Sequence, residues 1–125
     1  MKSPHRGFKR IVYAAGYSWK GFKSTWQHEA AFRQEVILFG LLLPAAFWLG
    51  ESAFERAILI AVLMIVLLVE LLNTAIESTV DRIGDDYHPL SGRAKDQASA
   101  AVFVAFFIAA VVWIGFLISK LMGGL

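Results

Sequence analysis

Glu70, Asn73 and Glu77 stand at positions i, i+3 and i+7, directly after a run of 13 uncharged residues, Ala57 to Val69. On a helix seven steps of 100° return to within ~20° of the start, so the three side chains share one face, with the two carboxylates roughly 10 Å apart along the axis. A carboxylate left in hydrocarbon costs roughly 2.5–3.5 kcal/mol even on lenient insertion scales, and residues kept at that cost usually line a site or meet a partner. The plain structural alternative is an interhelical ion pair with Lys95 or Arg33, or a neutral glutamic acid packed between helices. Two carboxylates and an amide on one stripe ask for more compensation than one lysine provides, whereas a divalent cation supplies it. Mg2+ prefers carboxylate oxygen and commonly takes one or two carboxylates together with substrate phosphates. Glu29 lies at a similar expected depth and could complete the set.

A second polar stripe, Lys95, Asp96 and Ser99, opens the last apolar segment. Lys95 offers a point charge for a polyphosphate, and Asp96 could accept from a nucleotide or orient the lysine. With Arg10 these groups bring acid and base to one region. That is the inventory of phosphoryl transfer from a nucleotide, where positioning and charge neutralisation carry most of the catalysis. Two tempting motifs fail. Gly16 to Ser24 resembles a phosphate-binding loop but has Phe22 between the glycine and the lysine, and no strand precedes it. His28-Glu29 begins like a zinc-protease helix, yet Phe32 occupies the place of the second histidine.

The elements that must hold these residues follow from hydropathy. Apolar residues are 58% and charged residues 18% of 125, with no cysteine, so disulfides and thiolate chemistry are excluded. Three apolar runs stand out: Val36–Leu49, interrupted by Pro44; Ala57–Val69, resuming after Glu70 to Ile76; and Ala98–Ile118. Crossing a bilayer takes about 20 residues at ~1.5 Å each. The third run suffices alone, and the first two reach that length when extended. A chain of this size has too little amphipathic surface to hide all three as soluble helices. Before them, Phe8, Ile11, Val12, Ala15, Trp19, Phe22 and Trp26 recur every three or four residues, flanked by Lys9, Arg10, Lys20 and Lys23. This predicts a helix lying in the membrane interface, apolar face among acyl chains.

The expected architecture is therefore an all-α membrane protein, one membrane-embedded domain over residues 1–125. An amphipathic interfacial helix (about 7–28) precedes three transmembrane helices (about 30–49, 54–80 and 94–120). Ser91-Gly92-Arg93 reads as the turn into the last of them. No removable signal peptide is apparent. Residues 1–35 carry seven Lys or Arg against Glu29 and Glu35, a net of +5, while Gly50–Arg56 carries Glu51, Glu55 and Arg56, a net of −1. The positive-inside rule puts the N-terminus in the cytoplasm and the C-terminus outside, with Trp48 and Trp113 towards the outer interface. A lone copy would expose the Glu70 stripe to lipid, which argues for a neighbouring subunit to cover it.

The blocks Ala14-Ala-Gly-Tyr-Ser-Trp-Lys-Gly21, Glu29-Ala-Ala-Phe-Arg-Gln-Glu35, Glu70-Leu-Leu-Asn-Thr-Ala-Ile-Glu77, Val80-Asp-Arg-Ile-Gly84 and Tyr87 to Asp96 closely resemble the prokaryotic diacylglycerol kinases. The resemblance runs from about Gly7 to Trp113. It implies a small homotrimeric kinase of the bacterial cytoplasmic membrane that phosphorylates diacylglycerol with Mg-ATP to give phosphatidic acid. Glu70 would be the general base, and Glu29 and Glu77 the metal ligands. Arg10, Tyr17, Glu29, Glu77, Asp86, Tyr87, His88, Lys95 and Asp96 would contact ATP. Lipid contacts would come from Arg10, Ala14, Ala15, Gly16, Tyr17, Ser18 and Trp19, from Ala31, Phe32, Arg33, Gln34 and Glu35, and from Trp48, Glu70, Ser99 and Trp113. Asn73 would orient the carboxylates. A related branch phosphorylates undecaprenol, and the basic helix with its Ala-Ala-Gly-Tyr-Ser-Trp-Lys block looks more like the diacylglycerol branch. A small proton-coupled transporter is the remaining alternative, against which the polar segment Asp81–Asp96 counts.

Overall fold

The computed structural model describes residues 6–123. Within them the chain forms four helices and no strand: α1 (Gly7–His28), α2 (Ala30–Leu49), α3 (Ala53–Ile83) and α4 (Pro89–Leu121). The last three are long and apolar enough to cross a membrane. With 31 and 33 residues, α3 and α4 reach about 46 and 50 Å, well beyond a hydrocarbon core of about 30 Å, so their polar ends project from it.

Helix α3 is the centre of the bundle, packed chiefly on α4 and also on α2. Its Val62, Leu63 and Val66 meet Phe39 of α2 and Ala105 and Ala109 of α4. A second cluster joins Leu59 to Ala46 and Leu49. Ala98, Ala105 and Ala109 give α4 a strip of small side chains, buried against its neighbours. Such residues let helix backbones approach closely where lipid offers no hydrophobic drive for association. Trp113 ties the pair further, its Nε1 donating to the Leu59 carbonyl at 3.1 Å. Helix α2 continues through Pro44.

Around α1 the picture differs. Phe8, Ile11, Val12 and Trp19 stand open, 80, 65, 55 and 70% exposed, as an apolar face requires if lipid is to cover it. The helix stops at Glu29, whose extended backbone (φ −117°, ψ 104°) serves both as its C-cap and as the N-cap of α2. Arg33 closes that joint, donating from Nη1 to the carbonyls of Trp26 (2.7 Å) and Gln27 (3.3 Å).

The turn expected at Ser91-Gly92-Arg93 is instead helix. α4 begins at Pro89, whose fixed φ suits the first helical position and whose missing N–H costs nothing there. His88 caps it, Nδ1 accepting from Leu90 N at 3.1 Å, and Gly92 N already bonds the His88 carbonyl. A Gly–Ser pair reads as a turn by composition, but this cap outweighs it.

Candidate functional site

One end of the bundle gathers the polar stripe of α3. Glu70 is buried, only 9% exposed, among side chains of the single chain. The expectation that one copy leaves this stripe open to lipid is therefore corrected for Glu70, while Asn73 and Glu77 stay half-buried. The reason is local: α2 packs on α3, and Glu35, in the second turn of α2, neighbours Glu70. Asn73, one turn on, donates from Nδ2 to Glu77 Oε1 at 2.8 Å. A carboxylate only accepts, so this bond fixes which end of the Asn73 amide is nitrogen. Two oxygens are then left over. Glu35 Oε2 and Asn73 Oδ1 are buried with no hydrogen-bond partner among the described residues. Buried polar atoms are normally satisfied, and an unpaired one costs about 1–3 kcal/mol. These two lie on α2 and α3, the helices that carry Glu35 and Glu70.

The two cations weighed as ion-pair partners for Glu70 are engaged elsewhere. Arg33 caps α1, and Lys95 Nζ bonds Asp81 Oδ1 at 2.7 Å. Glu77 contributes to the field around that same ammonium. Asp81 was not foreseen as part of the site; it sits one turn beyond Glu77, a spacing that could have flagged it.

Beyond the stripe, the segment between α3 and α4 carries Asp86, Tyr87 and His88, all exposed, around an open cavity of about 360 Å3 shared with Ile83, Leu90 and Ser91. Asp96 and Ser99 lie exposed on α4. On the other flank, Trp19, Phe22, Lys23 and Trp26 of α1 close with Phe32, Val36 and Leu67 around an apolar cavity of about 570 Å3. Arg10, Ala14, Ala15, Gly16, Tyr17 and Ser18 line the exposed length of α1, with the Lys20 ammonium 6.0 Å from the Tyr17 ring centre. Phe32 is buried, while Ala31 and Gln34 are exposed. Trp48 and Trp113 stand apart: the Leu59 carbonyl that holds Trp113 is eleven residues from Glu70, about 16 Å along α3.

No three Asp, Glu, His or Cys side chains converge as a metal cage among the described residues. The donors present nonetheless suit a metal held jointly with phosphate oxygens, as Mg2+ commonly is. Glu77 is half-buried and oriented by Asn73, the kind of hydrogen bond that aims a ligating carboxylate. Glu29 is half-buried at the α1–α2 joint, on backbone rather than mid-helix.

Comparison with known proteins adds a further finding. Residues 16–117 match the family described as prokaryotic diacylglycerol kinase. The chain is 54% identical over 113 residues to a diacylglycerol kinase of Escherichia coli (strain K12), covering 90% of this chain and 93% of that one. It is 53% identical over 107 residues to one from Pseudomonas aeruginosa, covering 86% and 87% respectively. A Helicobacter pylori diacylglycerol kinase is 40% identical over 108 residues, covering 86% and 84%.

Proposed function

The chain belongs to the prokaryotic diacylglycerol kinase family, and on that premise we propose that Glu70 is the base of its reaction, transfer of the γ-phosphoryl group of ATP to the free hydroxyl of diacylglycerol. The observation that carries this assignment is the buried Glu70 carboxyl on the one face of α3 that also bears Asn73 and Glu77. On this reading the lipid hydroxyl, with one proton to donate, faces Glu70. Its proton passes to Glu70 as its oxygen bonds the γ-phosphorus, and the bond from that phosphorus to the bridging oxygen of ADP breaks. A positioned carboxylate of this kind contributes ~10²–10⁴-fold to rate.

Glu29 and Glu77 would hold Mg2+ together with the nucleotide phosphates, and the ion would neutralise phosphate charge. Asn73 keeps the Glu77 carboxylate aimed through its 2.8 Å bond. Lys95 and Arg10 offer positive charge to the phosphates, and Tyr17, Asp86, Tyr87, His88 and Asp96 contact the rest of ATP. The apolar cavity lined by Trp19, Phe22, Trp26, Phe32, Val36 and Leu67 would receive the lipid's glycerol and upper acyl region, with Ala14 to Ser18, Ala31, Arg33 to Glu35 and Ser99 as further lipid contacts. Trp48 and Trp113 meet the far reach of the acyl chains. The exposed α3–α4 segment and the apolar cavity against α1 are separate surfaces, one suited to the soluble substrate and one to the lipid.

The loop charges support an N-terminus in the cytoplasm and a C-terminus outside, which puts Glu77, Asp81 and the α3–α4 segment where cytosolic ATP is found. Residues 1–125 act as one membrane-embedded domain. A homotrimer, as the resemblance implies, would let a neighbouring copy contribute groups to the site. Cross-linking in membranes that never exceeded monomer would contradict it.

The substrate is tested by labelled ATP and Mg2+ with diacylglycerol and undecaprenol side by side in mixed micelles. Label entering phosphatidic acid at the higher rate is expected. Label entering undecaprenyl phosphate instead would move the chain to that branch.

A further inference from the structure

Asp81, the ion-pair partner of Lys95, has no role among those described so far. Asp81 occupies the next turn of α3 after Glu77, so Glu70, Asn73, Glu77 and Asp81 continue one face at i, i+3, i+7 and i+11. Lys95 reaches across from the second turn of α4 to meet it at 2.7 Å. The two side chains are 66 and 45% exposed. An exposed pair of this kind adds little to fold stability, because solvent screens it and ordering two side chains opposes it. Its position is more informative than its strength. The pair borders an open cavity of about 250 Å3 between the end of α3 and the start of α4, shared with Gly84, Asp86, His88 and Gly92.

We propose that Asp81 is a positioning residue for the nucleotide, anchoring the Lys95 ammonium over this cavity and beside Glu77 so that it meets the terminal phosphates of ATP. The proposal rests on the kinase reading above and deepens it. A lysine stem has four rotatable methylenes, and holding its end in one place removes freedom that phosphate binding would otherwise have to remove. The ammonium has three donors. One is engaged by Asp81 Oδ1, which leaves two directed at incoming oxygens. Asp81 also balances the lysine's charge before the nucleotide arrives, and Glu77, one turn back on the same face of α3, acts on the same ammonium. Asp81 touches no reacting atom; it acts through Lys95.

Steady-state kinetics on the full chain in mixed micelles separate the possibilities, with ATP varied at saturating diacylglycerol and then the reverse. Asp81→Asn is expected to raise KM for ATP about 5-fold or more while leaving KM for lipid unchanged and kcat within about twofold. Asp81→Glu, which keeps the charge, should recover most of the loss. In a Lys95→Met background, Asp81→Asn should add nothing, because the residue it positions is gone. Asp81→Ser repeats the test should the asparagine variant fold poorly, and thermal unfolding in detergent serves as the folding control. An unchanged or lowered ATP KM in Asp81→Asn, beside a raised one in Lys95→Met, overturns the positioning role alone. An unchanged ATP KM in Lys95→Met overturns the nucleotide reading of that lysine, and the positioning role with it. Full additivity of the two substitutions also overturns it.

Discussion

The two ends of this bundle are both polar, and they use polarity differently. At the Trp48 end the polar side chains are spent on backbone. Arg56 Nε donates to the carbonyls of Phe47 (3.3 Å) and Gly50 (3.1 Å), and Lys120 Nζ to that of Trp48 (2.8 Å). Ser52 accepts from Glu55 N, and Glu55 in turn accepts from Glu51 N, both at 3.1 Å. Each bond closes a helix end or a tight connection. At the Glu70 end Arg33 and His88 also bond backbone, but the polar stripe itself makes contacts between side chains, Asn73 to Glu77 and Lys95 to Asp81, and two buried oxygens are left without donors among the described residues. Satisfied polarity holds helices together; unsatisfied polarity, kept at a cost, is where substrates are expected.

This contrast predicts that substitutions at one end change chemistry and at the other change stability. The largest effect is expected for Glu70→Gln, which should lower kcat by ~10²–10⁴-fold and leave the unfolding midpoint in detergent no lower than before. Asn73→Ala comes next. Loss of the bond that aims Glu77 should raise the Mg2+ concentration needed for half-maximal activity by ~10–100-fold, measured by metal titration at fixed ATP. At the other end, Gly50→Ala should act on stability alone. An added Cβ would stand 2.6 Å from Arg56 Cγ and 2.9 Å from its backbone nitrogen, so the connection must shift. A destabilisation of about 1–3 kcal/mol is expected in equilibrium unfolding, with both KM values unchanged per folded enzyme. The smallest effect belongs to Lys120→Met, where one exposed bond to the Trp48 carbonyl is lost. About 0.5–1 kcal/mol should disappear, without change in phosphoryl transfer. A stability mutant that altered ATP KM, or a Glu70-end mutant that only unfolded the protein, would dissolve the distinction between the ends.

Much of this was legible in the sequence for a physical reason. Long apolar runs announce spanning helices because lipid demands them, and helical spacing alone put Glu70, Asn73 and Glu77 on one face. The amphipathic period of Phe8 to Trp26 is equally plain, and α1 does leave its apolar side open. What one-dimensional spacing could not give is contact between helices. The family resemblance implied Glu35 only as a lipid contact, although Glu35 neighbours Glu70. Spacing offered Lys95 and Arg33 as partners of Glu70, when Asp81 and the end of α1 take them. The start of α4 was misplaced because a histidine side-chain cap is not visible in composition. Burial of Glu70 within one copy also depends on how α2 meets α3, which no pattern along a single helix encodes.

The most direct test of Glu70 as base is single-turnover transfer of label from γ-labelled ATP to diacylglycerol in the Glu70→Gln enzyme, with binding of ATP and of lipid measured on the same preparation. The expected result is two substrates bound with near-normal affinity and a chemical step slowed by at least ~10²-fold. Transfer at the unaltered rate with both substrates bound would contradict it.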